Sequence, residues 1–436
     1  MKIPLELCFL DDEKKHMFFL RRVAAFVYLV LFLALSFSPL FLFLDELTSP
    51  LIPYIAEHLE VSFRVDVLLY CACALEFALV LFCLRIPLWI RVVVRVFMLV
   101  DLVLVHFYCF YVRGMNLPLC GSLFCVLSGV LLDALLFVEM RFRMRRLFYD
   151  HMLPLVSRSA CDAMLFCKGY EFPADTRVRG TVLSLRIENT ASGAAAFDCA
   201  TLLLALRTYF LLLKQAVTDC GGMLSFFDGN HAEFLFGVPL EDGEHAFHAV
   251  QAALSVLECQ SELNKKLILA HNFEFKTSIG IHSGDFDFGD CGGLYRAMGV
   301  TRELAVRLEE SNDVYKTNVL ISEKTWNEVD FGSHNGEFVV RRLDRVRVSG
   351  FDAPVQLYNL VGTELGAGEL LKKALSNFET ALSLYLKRDF ENAERLFLYA
   401  NELVPDEASL IYAGRCVKYA KNGVDDGWQG IFTLSL

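Results

Sequence analysis

The sequence predicts a multi-domain chain: four membrane-spanning helices, then a mixed α/β domain, then an all-α tail. Three observations predict it. Residues 23–44 are an uncharged apolar run, VAAFVYLVLFLALSFSPLFLFL. Between residues 175 and 362, strand-like alternation and helix-like periodicity take turns. From about residue 364 the pattern is amphipathic and helical.

The chain has 436 residues, 55% of them apolar, with a net charge of −11. That length fits two or three domains, and the acidic balance argues against a nucleic-acid partner, whose footprint is basic. Of the 14 cysteines, Cys71, Cys73, Cys83, Cys109, Cys120 and Cys125 lie in apolar runs, where cysteine acts as a small hydrophobe. No CxxC spacing occurs, so neither a zinc site nor a thioredoxin-like motif is indicated.

The run 23–44 is long enough to cross about 30 Å of hydrocarbon and too long for the apolar core of a signal peptide. Further spans are predicted at about 67–84, 96–112 and 117–138. With the N-terminus inside, the inner segments carry twelve Lys and Arg and the outer ones only Arg64 and Arg113, which places both ends in the cytosol. Glu76, Asp101, His106 and Asp133 fall at membrane depth. There they serve either interhelical hydrogen bonding or a functional path.

Beyond RFRMRR (141–146), residues 147–170 read as a helical connector. TVLSLRI (181–187) reads as a buried strand and 198–216 as a helix. GGMLSFFDGNHAEFLFG (221–237) is a hairpin, with Asp228-Gly229-Asn230 at its turn. EHAFHAVQAALSVL (244–257) puts Phe247, Val250, Leu254 and Leu257 on one helical face. FEFKTSIGI (273–281) alternates as a strand, ELAVRLEES (303–311) is helical, and NVLISEKTWNEV is strand then helix. FVVRRLDRVRVSG and PVQLYNLVG close as an antiparallel pair. Hairpins among the alternating elements indicate a mixed sheet. In the tail, two amphipathic stretches meet at Lys387-Arg388-Asp389, a tetratricopeptide-like hairpin expected to dock on its neighbour or on a second subunit.

The order of TVLSLRI, GGMLSFFDGNHAEFLFG, IGIHSGDFDFGDCGG, GVTRELAVRLEESN, VLISEKTW and RLDRVRVSGFDAPVQLYNLVG resembles the class III adenylate/guanylate cyclase homology domain. The resemblance covers roughly residues 175–362. It implies a ferredoxin-like βαββαβ-type fold, and the anchor before it and helical tail after it fit bacterial members. The domains expected are a cytosolic N-terminus (1–22), a four-span region (23–140), a helical connector (141–174), the cyclase homology domain (175–362) and the tetratricopeptide-like tail (363–436). The expected location is the bacterial inner (cytoplasmic) membrane.

In that family two aspartates bind two Mg²⁺ ions, which clamp the attacking and leaving oxygens of the phosphoryl transfer. The resemblance places Arg186 and Asn230 where those aspartates stand. It places Phe226 at the purine-reading lysine, Arg296 at that lysine's aspartate partner, Glu303 at the transition-state asparagine and Ser349 at the start of the phosphate-holding K-G-K. The stretch from Gly292 to Gly299 is shorter than the family's. Arg307 alone keeps its residue type.

Arginine stays protonated and has no acceptor, so Arg186 cannot ligate a cation. At about 4 Å a guanidinium and Mg²⁺ repel by several kcal/mol even at an effective dielectric near 20. A shifted pair, Glu188 and Asp228, keeps a metal reading open, because residues two apart on a strand share a face. Its alternative is that Asp228 bonds its own turn. Asp285, Asp287 and Asp290 read as a solvated strand edge, His282 as a packed histidine, and Arg307 as either a retained catalytic group or an ion-pair partner of Glu303.

The expectation is a membrane-anchored cyclase homologue with a degenerate site, acting as a regulatory or scaffold subunit. Its partners are the bilayer, a second copy or an intact cyclase paired through the homology domain, and no nucleic acid; ATP binding is doubtful. The alternatives are an adenylate cyclase making cyclic AMP and pyrophosphate with Mg²⁺ or Mn²⁺, a heterodimer half, and a transporter.

Overall fold

The computed structural model describes Val23, Phe26 and Val30, then residues 88–113 and 119–436 apart from 167–169, 171, 174, 190–196, 292–294, 331–335, 349, 352, 426 and 435–436. The predicted spans 23–44 (save those three positions) and 67–84 lie outside the described residues. Contacts divide the chain into Leu5–Tyr149 and a second unit of Met1–Pro4 with Asp150–Leu436.

In the first unit the predicted span 96–112 lies within α1 (Leu88–Arg113), and nearly all of 117–138 lies within α2 (Leu119–Met152). Helix α2 runs unbroken through the boundary expected at 140. Its uninterrupted run of good helix formers through RFRMRR gives no stop signal there. The outward face of α1 is apolar, with Phe97, Leu104 and Tyr111 exposed.

In the second unit α3 (Arg158–Phe166) leads into β1 (Thr176–Glu188). There follow α4 (Cys199–Asp219), β2 (Met223–Phe227), β3 (His231–Phe236), α5 (His245–His271) and β4 (Lys276–Asp290). These four strands stand in the order β2-β3-β1-β4, all antiparallel, which is the predicted βαββαβ arrangement. The strand read from Phe273 begins only at Lys276, because Phe273 and Phe275 fold back onto the helix-side core. Next come β5 (Tyr295–Met298), α6 (Val300–Tyr315), β6 (Val319–Ser322), α7 (Glu323–Asp330), β7 (Phe338–Arg347) and β8 (Val355–Thr363). The mixed sheet continues β4-β6-β8-β7, with β5 hairpinned onto β4 and β6 parallel to β4.

The two faces of the sheet build two cores. Leu183, Leu185, Ile187, Phe234, Ile279 and Ile321 point to α4 and α5. Leu320, Leu343 and Leu357 point the other way, to α6 and the tail. Neighbouring residues of β6 thus serve opposite faces, as the strand period of two requires. Among the described residues one helix, α4, is long and apolar enough to cross a membrane. It was read as a helix of the α/β domain, and its Tyr209, Leu213 and Val217 are buried in that domain's core.

The tail is α8 (Glu369–Leu386), α9 (Phe390–Leu403) and α10 (Glu407–Asn422), followed by β9 (Ile431–Thr433). The break at Lys387-Arg388-Asp389 is as expected, with Arg388 at φ 68°. The tail is not wholly helical: β9 adds to the sheet parallel to β7. It docks on its own domain. Phe378, Tyr385, Phe397 and Tyr412 share one core with α6 and β6–β8. Arg415 Nη1 and Tyr315 Oη both donate to Asp344 Oδ2 at 2.6 Å, joining α10 and α6 to β7.

Phe397 is fully buried in this seam. Phe397→Ala is expected to cost about 3–5 kcal/mol. A urea titration of the full chain should show the tail and sheet melting together at the lower midpoint.

Candidate functional site

Alternate residues of β1 and β3 on the α6 side are polar: Ser184, Arg186, Glu188, His231 and Glu233. Register sets Arg186 opposite His231 and Ser184 opposite Glu233. Helix α6 crosses this face in backbone contact with β4. A Cβ on Gly280 would overlap the carbonyl of Ala305 and the backbone nitrogen of Glu309, so only glycine allows this approach. Asn312 Nδ2 adds a bond to the Ile279 carbonyl at 3.0 Å.

That approach delivers Glu309, 1% exposed, to the β1 face. Arg186 Nε lies 2.6 Å from Glu309 Oε1, a charge contact outside hydrogen-bond angles. Arg186 Nη2 donates to Asp313 Oδ2 at 2.7 Å and lies 3.6 Å from Glu188 Oε1. On the other Glu309 oxygen, Ser184 Oγ donates at 3.3 Å and His231 Nε2 lies at 3.3 Å. A second buried carboxylate, Glu233, is neutralised the same way: Arg302 Nε donates to its Oε2 at 2.9 Å and Nη2 to its Oε1. Buried carboxylates need such partners, because desolvated charge is otherwise very costly.

Protonation follows from these contacts. Burial works to lower the Arg186 value, but the Asp313 hydrogen bond and the charges of Glu309, Asp313 and Glu188 outweigh it and raise it. For His231, burial again works downward. The bond to Glu309 and the charges of Glu309, Glu233 and Asp228 prevail and raise it. His282 is different: burial, helped by Lys324, pushes it down to about 4, and its Nδ1 sits 2.7 Å from Ser322 Oγ. It is the packed histidine the sequence suggested.

The structure gathers most of the predicted positions on this face. The Asn230 carbonyl accepts from Ile187 N at 2.6 Å, so Asn230 lies beside the strand end that carries Arg186. Asn230 itself is exposed. Phe226 and Arg296 meet directly, the guanidinium 4.5 Å from the ring centre. A bulge in β2 and the bond from Ser225 Oγ to the Tyr295 carbonyl bring them together. Glu303 is exposed and pairs with Arg302 at 3.4 Å. Arg307 pairs with Glu310 at 2.8 Å, one turn on, and not with Glu303. Ser349 lies outside the described residues.

The shifted pair does not converge. Glu188 accepts from Ser278 Oγ, while Asp228 Oδ1 accepts from its own turn at His231 N, 3.0 Å. Among the described residues no three His, Cys, Asp or Glu side chains are placed to hold a metal ion. The donor set around Arg186 does not fit Mg²⁺, which needs anionic oxygens free of a resident cation. Asp285 and Asp287 are exposed on β4.

Sequence reasoning missed Glu309, Asp313, His231, Glu233 and Arg302. A signal was present: Glu309 and Asp313 are spaced i,i+4 on a helix, so both reach one neighbour.

No family model matches the chain. The terminal-differentiation-specific adenylate cyclase of Dictyostelium discoideum is 30% identical over 224 residues, taking in 50% of this chain and 10% of that protein. Adenylate cyclase 1 of Rhizobium meliloti (strain 1021) is 36% identical over 161 residues, 36% of this chain and 24% of that protein. The match thus spans a quarter or less of the length of these curated relatives. Among solved structures, the adenylyl cyclase CyaB from P. aeruginosa has a TM-score of 0.40 at 22% identity, over 44% of this chain and 98% of that one. The guanylyl cyclase Cya2 has 0.39 at 22%, over 45% and 96%.

Two outcomes are expected. Arg186→Ala strands Glu309 and should cost roughly 3 kcal/mol, the lower end for breaking a buried pair because Arg186 is itself partly exposed. Adding Glu309→Gln should recover part of the loss in a double-mutant cycle by urea unfolding. The second concerns pH. Folded His231 holds its proton more tightly than the unfolded chain does. Its stabilisation is therefore complete below about pH 6.5 and fades as pH rises through the raised folded value. His231→Gln should lack this decline when midpoints are compared across that range.

Proposed function

We propose that this chain, which carries an adenylate/guanylate cyclase-type homology domain, is a membrane-anchored regulatory or scaffold subunit of cyclic-nucleotide signalling that no longer turns over nucleotide. The observation that carries this reading is the seat of Arg186. Its guanidinium stands between Glu309 and Asp313 on the strand end where a metal-binding carboxylate would be needed. The purine-side pair supports the same reading. Phe226 and Arg296 bind each other, and neither offers the acceptor that reading an adenine amino group requires.

The anchor is supported by the apolar runs and the asymmetry of Lys and Arg around them. On this reading the chain sits in a bacterial inner membrane with the α/β domain and both termini in the cytosol. The partner is a second copy or an intact cyclase, paired through the α/β domain.

Full chain in detergent, supplied with ATP and Mn²⁺, is expected to form no cyclic AMP and to show no nucleotide-dependent rise in thermal midpoint. Mixed with an intact cyclase of the same cell, it is expected to change that enzyme's rate. Turnover by the chain alone, lost in Glu188→Ala or Asp228→Ala, would replace this reading with that of a cyclase using a shifted metal site.

A further inference from the structure

Between the sheet and the tail lies a cavity of about 150 Å³. No residue of the Arg186 network lines it. Its walls come from β7, β8 and all three tail helices. Leu371, Leu375, Phe378 and Val404 give it an apolar body, and Arg341 and Asp406 give it a polar end.

The polar end has a definite hydrogen-bonding state. Arg341 is only 5% exposed. Of the five N–H groups of a guanidinium, three are used here. Nε donates to Asn359 Oδ1 at 3.0 Å, Nη1 to Asp406 Oδ2 at 2.7 Å and Nη2 to Asp406 Oδ1 at 2.9 Å. The group stacks 4.6 Å from the Phe378 ring centre. One N–H on each terminal nitrogen is left over in a site largely removed from water. Asp406, in contrast, is fully engaged. It accepts both Arg341 bonds and two more from Ser409, at 3.0 Å from N and 2.6 Å from Oγ. Burial pushes its carboxyl upward, but Arg341 and Ser409 outweigh that and hold it below the ordinary range. The pair is therefore charged and neutral in sum, with donors to spare on the Arg341 side.

We propose that this cavity binds a small neutral molecule with an apolar, ring-sized body and a carbonyl or amide oxygen that accepts from one of the remaining Arg341 N–H groups. The size follows from volume, since a cavity of about 150 Å³ admits a benzene-sized ligand. The charge follows from the pair: an anion would meet the Asp406 carboxylate and a cation the guanidinium. Because five elements supply the wall, occupancy ties the tail to the sheet. This goes beyond the signalling role proposed above and does not depend on it.

The test uses full chain in detergent and three probes: benzamide, toluene and benzoate. Benzamide should raise the thermal midpoint in a saturable way, by roughly 3 °C at tenfold excess over its dissociation constant. Toluene, lacking the acceptor, and benzoate, an anion, should raise it less. Ala374→Leu fills the cavity from α8 and should remove the benzamide shift. Leu371→Trp, at the rim, does the same should the first variant fold poorly. Detergent takes up each probe equally in all variants, so their comparison cancels that effect. No shift with benzamide, a shift that persists in a folded filled variant, or a benzoate shift equal to that of benzamide would each overturn the proposal.

Discussion

The contact of Arg186 with Glu309 decides how α6 lies on the sheet, and with it the chemistry of that face. Glu309 is almost wholly buried, so its carboxylate calls for a fixed positive partner. Gly280 lets the helix come close enough to present it. In the resembled family the acids at this place are on strands and the cation arrives from solution. Here the acids Glu309 and Asp313 are on the helix and the cation is part of β1. The positive group on this face is thus part of the chain itself.

Helix α6 is held at its other end as well. Tyr315, its last residue, donates to Asp344, which also accepts from Arg415 of the tail. The helix that carries Glu309 therefore ends in a second buried ion cluster, built from β7 and α10. This accounts for a tail that shares one core with the α/β domain. Removing it would expose Leu308, Leu320 and Leu357 and leave Asp344 without Arg415. Two charge clusters, each closed by an arginine, bracket one helix.

The strand and helix order was legible because alternation and amphipathic period are local properties. TVLSLRI, the GGMLSFFDGNHAEFLFG hairpin and the Lys387-Arg388-Asp389 break all stand where the pattern put them. Strand β9 was not legible, since three residues after a helix carry no period. The resemblance pointed to Arg186, Asn230, Phe226 and Arg296 one at a time. Their contacts were not legible, because each partner comes from another element. Phe226 of β2 found Arg296 of β5, and Arg186 found Glu309 through a helix crossing that a single glycine permits. Arg307, read as either a retained catalytic group or a partner of Glu303, pairs with Glu310, while Glu303 pairs with Arg302.

A cation that belongs to the chain limits what can control this face. A bound metal stabilises a structure in proportion to the logarithm of its concentration over its dissociation constant, so its effect rises and falls with supply. A guanidinium on β1 is present at all times and keeps its proton at every physiological pH. The contact that seats α6 therefore comes from the chain itself. Within this network the histidine is His231, whose value burial lowers but the bond and charge of Glu309 raise on balance. Among the described residues the face is closed by groups of the chain itself, with Arg186 of β1 against Glu309 and Asp313 of α6.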